Sequence, residues 1–311
     1  MKKILMLATG GTIACLPGPD GLIPALDGET MCQMVPELKN ICEITCQEIL
    51  NLDSSNLSPR HWQLMAQAIE KNYAFYDGFV ITHGTDTMAY SSAALSIMLK
   101  NLAKPVVLTG AQLPIRAEQS DAPNNILLAF KACASENFGV MLAFDKLIID
   151  GSRAKKICSQ NFAGFASINS DPLGVLFDGE IAWSEEALKK SKPCEAFKIM
   201  PRLEEKVAVI KITPGLSSDI LNYYVTNGYR GIILESFGAG GVPNGENNWL
   251  PALEKTLQAG VKVVCATQCL YDGVHLDTYP MGRLAKKLGA ESSDLSTIEY
   301  AYAKLMWDLA N

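Results

Sequence analysis

DGFVITHGTDTMAYSSAALSIMLKNL, residues 77–102, holds an apolar run of strand length, a polar turn, and then an apolar segment of helical length. Strand, turn and apolar helix in succession form the half-unit of a parallel sheet with helices over both faces. The alternation continues in both directions along the chain. KILMLA (3–8), ITCQEILNL (44–52), KPVVLTG (104–110) and GVMLAF (139–144) read as further strands, with helices between them. One helix, RHWQLMAQAIEKNY (60–73), opens on Ser58 as cap and Pro59 in the first turn, and carries the stripe Trp62, Met65, Ala66 and Ile69. Another opens at Ser120 and Asp121, before PNNILLAFKACA.

From Ser184 to Lys206 the composition changes to SEEALKKSKPCEAFKIMPRLEEK, charged and with two prolines, as expected of a surface linker. Beyond it the pattern resumes on a smaller scale: KVAVIKI, GIILES and VKVVCAT as strands, with helices from Ser217, from Trp249, near Met281 and from Ser296. The expected fold is α/β. A larger N-terminal domain (1–183) with a doubly wound, mostly parallel sheet precedes a linker (184–206) and a smaller C-terminal α/β domain (207–311).

Bulk properties narrow the function. The 311 residues are 48% hydrophobic and carry a formal charge of −6, with no Lys/Arg cluster. This argues against nucleic acid and anionic lipid as partners and in favour of a small neutral or zwitterionic ligand. Nine cysteines, an odd number spread through apolar segments and loops, fit a reducing compartment. The apolar run after MKK ends at Ala8, too short for a secretory signal, so the cytoplasm is the expected location.

In a parallel sheet, ligands collect at the carboxyl ends of the strands. Four strand ends here carry small hydroxyl or Gly-rich turns: TGGT (9–12), DSSN (53–56), HGTDT (83–87) and TGAQ (109–112). The glycines of TGGT match no nucleotide loop, since neither G-x-x-x-x-G-K-[ST] nor G-x-G-x-x-G follows. A hydroxyl chemistry remains, with Thr12 flanked by two glycines and by CLPGPDG, a Gly/Pro-rich stretch suited to a lid. A threonine hydroxyl attacks a carbonyl only when another group takes its proton. Read alone, TGGT is a polar turn, and Thr85 with Asp86 a helix start with its acid. Three histidines without H-x-x-x-H or paired cysteine ligands make a metal site improbable, and no G-x-S-x-G elbow occurs. No metal and no organic cofactor is expected, and His83 is read as a buttress of its turn.

Together, TGGTIA, DSSN, DGFVITHGTDTMAYSSAALS, KPVVLTGAQLP with SDAPNN, and LESFGAGGVPN resemble the bacterial-type, cytoplasmic L-asparaginases over essentially the whole chain. The resemblance implies hydrolysis of L-asparagine through an acyl-enzyme on Thr12, assisted by Thr85, Asp86 and Lys156. Lys155 is one residue away in register, and by itself Lys156 reads as an exposed lysine in a basic run. The resemblance also implies substrate binding by Asp53, Ser54, Ser55, Thr85 and Asp86, a carbonyl from Ala111 for the amide nitrogen, and a homodimer or homotetramer. One position departs from the family. Where many members carry a lid tyrosine that bonds the nucleophile, GLIP places Leu22, which has no hydroxyl. Either another group orients Thr12, with Tyr279 a candidate, or activity is low. The alternatives are a non-catalytic amino-acid-binding homologue and the asparaginase-like subunit of a tRNA-dependent amidotransferase.

Overall fold

From Ile4 onward every residue of the strand Lys2–Gly10 is buried, the pattern of a strand covered on both faces. The computed structural model describes residues 1–18 and 21–311. By internal contacts it divides into two units, Met1–Pro201 and Arg202–Asn311.

The first unit is built on an eight-stranded sheet. Its order is Cys42–Leu52, Lys2–Gly10, Gly78–Thr82, Pro105–Thr109, Gly139–Phe144, Leu147–Asp150, Gly174–Phe177, Glu180–Trp183. The strands are parallel from Cys42–Leu52 to Gly139–Phe144 and antiparallel beyond. The chain lays Cys42–Leu52 on one side of the first strand and Gly78–Thr82 on the other, so the winding reverses there. That reversal opens a crevice at the carboxyl ends, where α/β sheets hold ligands. The strand ends are level, with Ala8 beside Thr82 and Thr82 beside Thr109.

The helix Pro59–Asn72 buries His61, Trp62, Met65, Ala66 and Ile69, and the Ser58 N–H at its start donates to His61 Nδ1 at 2.9 Å. The helix after HGTDT covers only Met88–Met98. Leu99 and Lys100 leave it to pair antiparallel with Lys198–Ile199, a sheet contact that overrides local helical preference. Residues 184–206, expected as a linker, carry that short strand and a helix, Glu185–Lys189, capped by Ser184 Oγ on the Ala187 N–H. CLPGPDG belongs to a β-hairpin, Cys15–Gly18 against Gly21–Pro24, with Leu16 opposite Ile23 and Pro17 opposite Leu22. Pro19 and Asp20 of that stretch lie outside the described residues.

The second unit has a four-stranded parallel sheet in the order Val207–Lys211, Gly231–Ser236, Lys262–Thr267, Glu291–Ser292. Its helices are Ile220–Thr226, Leu250–Gln258, Pro280–Leu288 and Ile298–Asp308. Trp249, Leu234, Val263 and Cys265 lie at its core. No helix of the described residues is long and apolar enough to cross a membrane.

One face of the first unit's sheet packs Met6, Val80, Val107 and Met141 with Ile126, Ala129 and Phe130 of the helix Ala122–Cys133. Phe130 is fully buried. Phe130→Ala should therefore cost about 3–5 kcal/mol, read as a lower urea midpoint at unchanged m-value.

Candidate active site

The strand ends meet as closely as backbone allows, and glycine makes the approach possible. A Cβ on Gly10 would stand 2.6 Å from the Leu52 nitrogen, and one on Gly11 would stand 2.3 Å from the Gly84 nitrogen. A Cβ on Gly84 would meet Ser54 Oγ at 2.6 Å, and one on Gly110 the His83 carbonyl oxygen at 2.3 Å. The turns 9–12, 53–56, 83–87 and 109–112 are thus packed against one another at one sheet edge. The glycines beside Thr12 clear room for the neighbouring turns.

Thr12 begins a single 3-10 turn, Thr12–Ala14, immediately after Gly11. Among the described residues its hydroxyl meets no hydrogen-bond partner, and the side chain is half-buried. The turn is held on both sides: the Ile115 N–H donates to Ile13 O at 3.2 Å, and the Ala25 and Leu26 N–H groups donate to Ala14 O at 2.9 and 3.0 Å. Leu22, on the adjoining hairpin, is 54% exposed. Tyr279 is 58% exposed and precedes the helix Pro280–Leu288 of the second unit.

Thr85 and Asp86 stand in the turn before the helix Met88–Met98, and neither caps it. Thr87 holds the N-cap position with its hydroxyl turned instead to Ser54 O at 2.8 Å. Lys156 enters from the strand Ala154–Lys156, paired antiparallel with Phe165–Ser167. Its ammonium donates to Thr85 Oγ1 at 2.8 Å and to Asp86 Oδ1 at 2.6 Å. Successive strand residues face opposite sides, so Lys155 points away from this pair. The Lys156 side chain is 17% exposed, against 64% for Asp86. A shielded ammonium thus bridges a shielded hydroxyl and a carboxylate open to solvent.

Of the residues expected on the substrate, Ser54 is buried, against Gly84. Asp53 and Ser55 are turned on each other: Asp53 Oδ1 accepts from the Ser55 N–H at 2.8 Å and from its hydroxyl at 2.6 Å. Those two bonds, the side-chain one first, hold the Asp53 carboxyl below its usual range. Ala111 is fully buried in the turn beside Thr85.

Two buried residues beneath this edge, Asp121 and Asn125, have roles that the sequence reading did not assign. Asp121 accepts from the Gln112 N–H (3.1 and 3.0 Å) and the Leu113 N–H (3.1 Å). Asn125 donates to Gly110 O at 3.0 Å and to Asp121 Oδ2 at 3.0 Å, and accepts from the Asp145 N–H at 2.8 Å. Both peptides flanking Ala111 are thereby fixed. SDAPNN signalled only a helix start, yet its aspartate leaves the cap unbonded to serve the turn. His83 is fully buried, with Nδ1 2.7 Å from Gly84 O and Nε2 2.8 Å from Ser91 Oγ, which also accepts from Trp62 Nε1 at 2.9 Å. Burial pushes its pKa down to about 4, so it is a neutral buttress of the HGTD turn. No group of three His, Cys, Asp or Glu among the described residues is spaced to hold a metal.

The family model "Asparaginase, N-terminal" matches residues 3–189, and "Glutaminase/Asparaginase C-terminal domain" matches residues 206–311. The L-asparaginase of Thermococcus kodakarensis is 37% identical over 311 residues, covering 99% of this chain and 93% of that protein. Its solved structure superposes with a TM-score of 0.93, over 99% of this chain and 93% of that one. A probable cytoplasmic L-asparaginase from Campylobacter jejuni is 29% identical with a TM-score of 0.86, covering 99% of this chain and 95% of that one. A glutamyl-tRNA(Gln) amidotransferase protein of Pyrococcus abyssi is 34% identical over 322 residues, covering 100% of this chain and 73% of that protein.

Gly11 has φ 81° and ψ 173°, a region nearly closed to other residues. Gly11→Ala should lose about 3 kcal/mol or more, whereas Gly245→Ala, with open space around its Cβ position, should stay within about 0.5 kcal/mol; urea denaturation of both variants checks the contrast. His83 sets a pH dependence. Unfolded, it titrates near about 6.5, and folded near about 4. Between these values the unfolded chain holds the extra proton, so stability present above pH 6.5 falls as the pH drops towards 4, by about 3 kcal/mol over the window. Stability measured by urea denaturation should fall less steeply from pH 7 to 4.5 in His83→Gln than in the wild type.

Proposed function

This chain belongs to the asparaginase family, and from that premise we propose that it hydrolyses L-asparagine to L-aspartate and ammonia through an acyl-enzyme on Thr12. The observation that carries the reading is the Lys156 ammonium, 2.8 Å from Thr85 Oγ1 and 2.6 Å from Asp86 Oδ1, at the same edge as Thr12. Thr12 Oγ1 attacks the side-chain amide carbon, and its proton passes through the Thr85–Lys156–Asp86 relay to the departing nitrogen. The C–N bond then breaks, the nitrogen departs as ammonia after taking a proton, and a β-aspartyl ester is left on Thr12. The same relay serves the water that cleaves the ester: a water proton enters at Thr85 as Lys156 passes one on, and a proton returns to Thr12 Oγ1 as L-aspartate leaves. Asp86 keeps the Lys156 head group in place and offers its exposed oxygen to the substrate's α-ammonium.

Ser54, with its carbonyl held by Thr87, binds the α-carboxylate, and the Ala111 carbonyl receives the amide nitrogen. Asp53 and Ser55, bonded to each other, shape the turn that carries Ser54. Such a site reads an amino acid by paired polar contacts, and an analogue lacking one group leaves a partner unsatisfied. With Leu22 in the hairpin, shielding from water is the hairpin's contribution, and orientation of the Thr12 hydroxyl falls to the substrate and the Thr85 side of the pocket. The chain acts in the cytoplasm as a homo-oligomer; the C. jejuni relative's name and the reduced cysteines support the location.

The amidotransferase relatives favour a second reading, in which ammonia release waits on a partner protein and a tRNA. Ammonia release from L-asparagine by the purified chain decides between them, since unaided turnover sinks the partner-dependent reading. Thr12→Ala should lower kcat at least about 10³-fold and Lys156→Met about 10²–10⁴-fold, with aspartate still bound by both. Wild-type turnover equal to that of Thr12→Ala, with saturable aspartate binding, would leave an amino-acid-binding protein. L-Glutamine, one methylene longer, should be disfavoured by about 1–3 kcal/mol in kcat/KM.

A further inference from the structure

Beneath the first two strands three sulfur atoms meet. Met6 and Cys46 are register partners on the neighbouring strands Lys2–Gly10 and Cys42–Leu52. Cys32 reaches them from the helix Gly28–Gln33. The Cys32 thiol donates to Met6 Sδ at 3.3 Å and lies 3.8 Å from Cys46 Sγ, while Cys46 Sγ lies 4.0 Å from Met6 Sδ. Met6 is fully buried, and both cysteines are half-buried. Gly28 adds to the closeness, since a Cβ there would stand 3.2 Å from Cys46 Cβ and 3.7 Å from Met6 Cε.

We propose that Cys32, Cys46 and Met6 form a three-coordinate site for a soft monovalent cation, copper(I) or silver(I). The point equidistant from the three sulfurs lies about 2.2 Å from each, against about 2.3 Å for a zinc–thiolate bond. Two thiolates and a thioether are the donor set that selects Cu(I) over harder ions. The three separations therefore suit one ion at their centre with little movement of the strands.

Binding releases the two thiol protons to solvent, and the complex carries one negative charge. The thioether supplies the third ligand without a proton to lose, so the site needs only two of the ionisable side chains that mark most metal centres. The strand bearing Met6 ends in TGGT, and the strand bearing Cys46 ends in DSSN. The helix bearing Cys32 follows the Ala25–Leu26 segment bonded to Ala14. An ion here ties together three segments that support the catalytic edge.

The test uses the reduced full-length chain, with Cys158, Cys194 and Cys269 replaced by serine to remove the other exposed or half-buried thiols. The probe is Cu(I) presented by a chromophoric chelator under anaerobic conditions. The expected result is uptake of one equivalent with a rise in Tm, and an X-ray absorption signature of three sulfur neighbours. Cys32→Ser and Cys46→Ser should each abolish competitive uptake, and Met6→Leu should weaken it at least about tenfold. Ammonia release without copper should be unchanged in the cysteine variants, which shows that they fold and separates this result from the activity assay. Undiminished uptake in Cys46→Ser, wild-type affinity in Met6→Leu, absence of uptake, or a Cys32–Cys46 disulfide in its place would each overturn the proposal.

Discussion

A Cβ at position 11 would stand 2.3 Å from the backbone nitrogen of Gly84, and one at position 110 would stand equally close to the His83 carbonyl oxygen, so the strand-end turns leave no room for added volume. Because Gly11 lies against Gly84 and Gly84 against Ser54, three chain segments far apart in sequence form a continuous floor. Gly110 extends it by lying against the His83 carbonyl. Backbone packed this tightly has little freedom to rearrange, so the hydroxyls of Thr12, Ser54 and Thr85 are held by main chain, which moves less than side-chain rotamers.

The floor is supported from below by polar groups that are themselves satisfied. Asn125 uses both its amide oxygen and its amide nitrogen, and Asp121 bonds two successive N–H groups of the 109–113 turn. His83 bonds through both ring nitrogens and stays neutral because charging it would bury an ion. Removing either network leaves buried polar atoms unpaired, which costs more than the bonds contribute when made. Above this layer stand the Thr12 hydroxyl, with no partner among the described residues, and the exposed Asp86 carboxylate, while within it Thr82 Oγ1 is buried without a partner.

The alternation of apolar runs with helical segments was readable because burial on both faces of a strand leaves a continuous hydrophobic signature. The turns at the strand ends were readable because Gly, Ser, Thr and Asp are needed where backbone bends sharply and presents N–H and O–H groups. Family resemblance then put Thr12, Thr85, Asp86 and Lys156 in one set. What could not be read was how polar residues divide their loyalties. Asp121 and Thr87 both stand where caps belong, yet each side chain reaches across to another turn. Asp53 and Ser55 stand in a site motif, yet bond each other. A cap, a buttress and a ligand have the same composition, and only the direction of the side chain separates them.

Two α/β units, the edge at which the chemistry collects and the residue types available there all follow from the order of amino acids, because hydrophobic period and turn composition are local properties of the chain. Folding in three dimensions was needed to set the TGGT glycines against neighbouring turns, to face Lys156 towards Thr85 and Asp86 with Lys155 turned away, and to pair the stretch around Leu22 as a hairpin. It also brought sulfurs from a helix and two strands together. Each of these depends on distances between segments separated along the chain, and such distances are set by which strand lies beside which, a quantity no local pattern encodes.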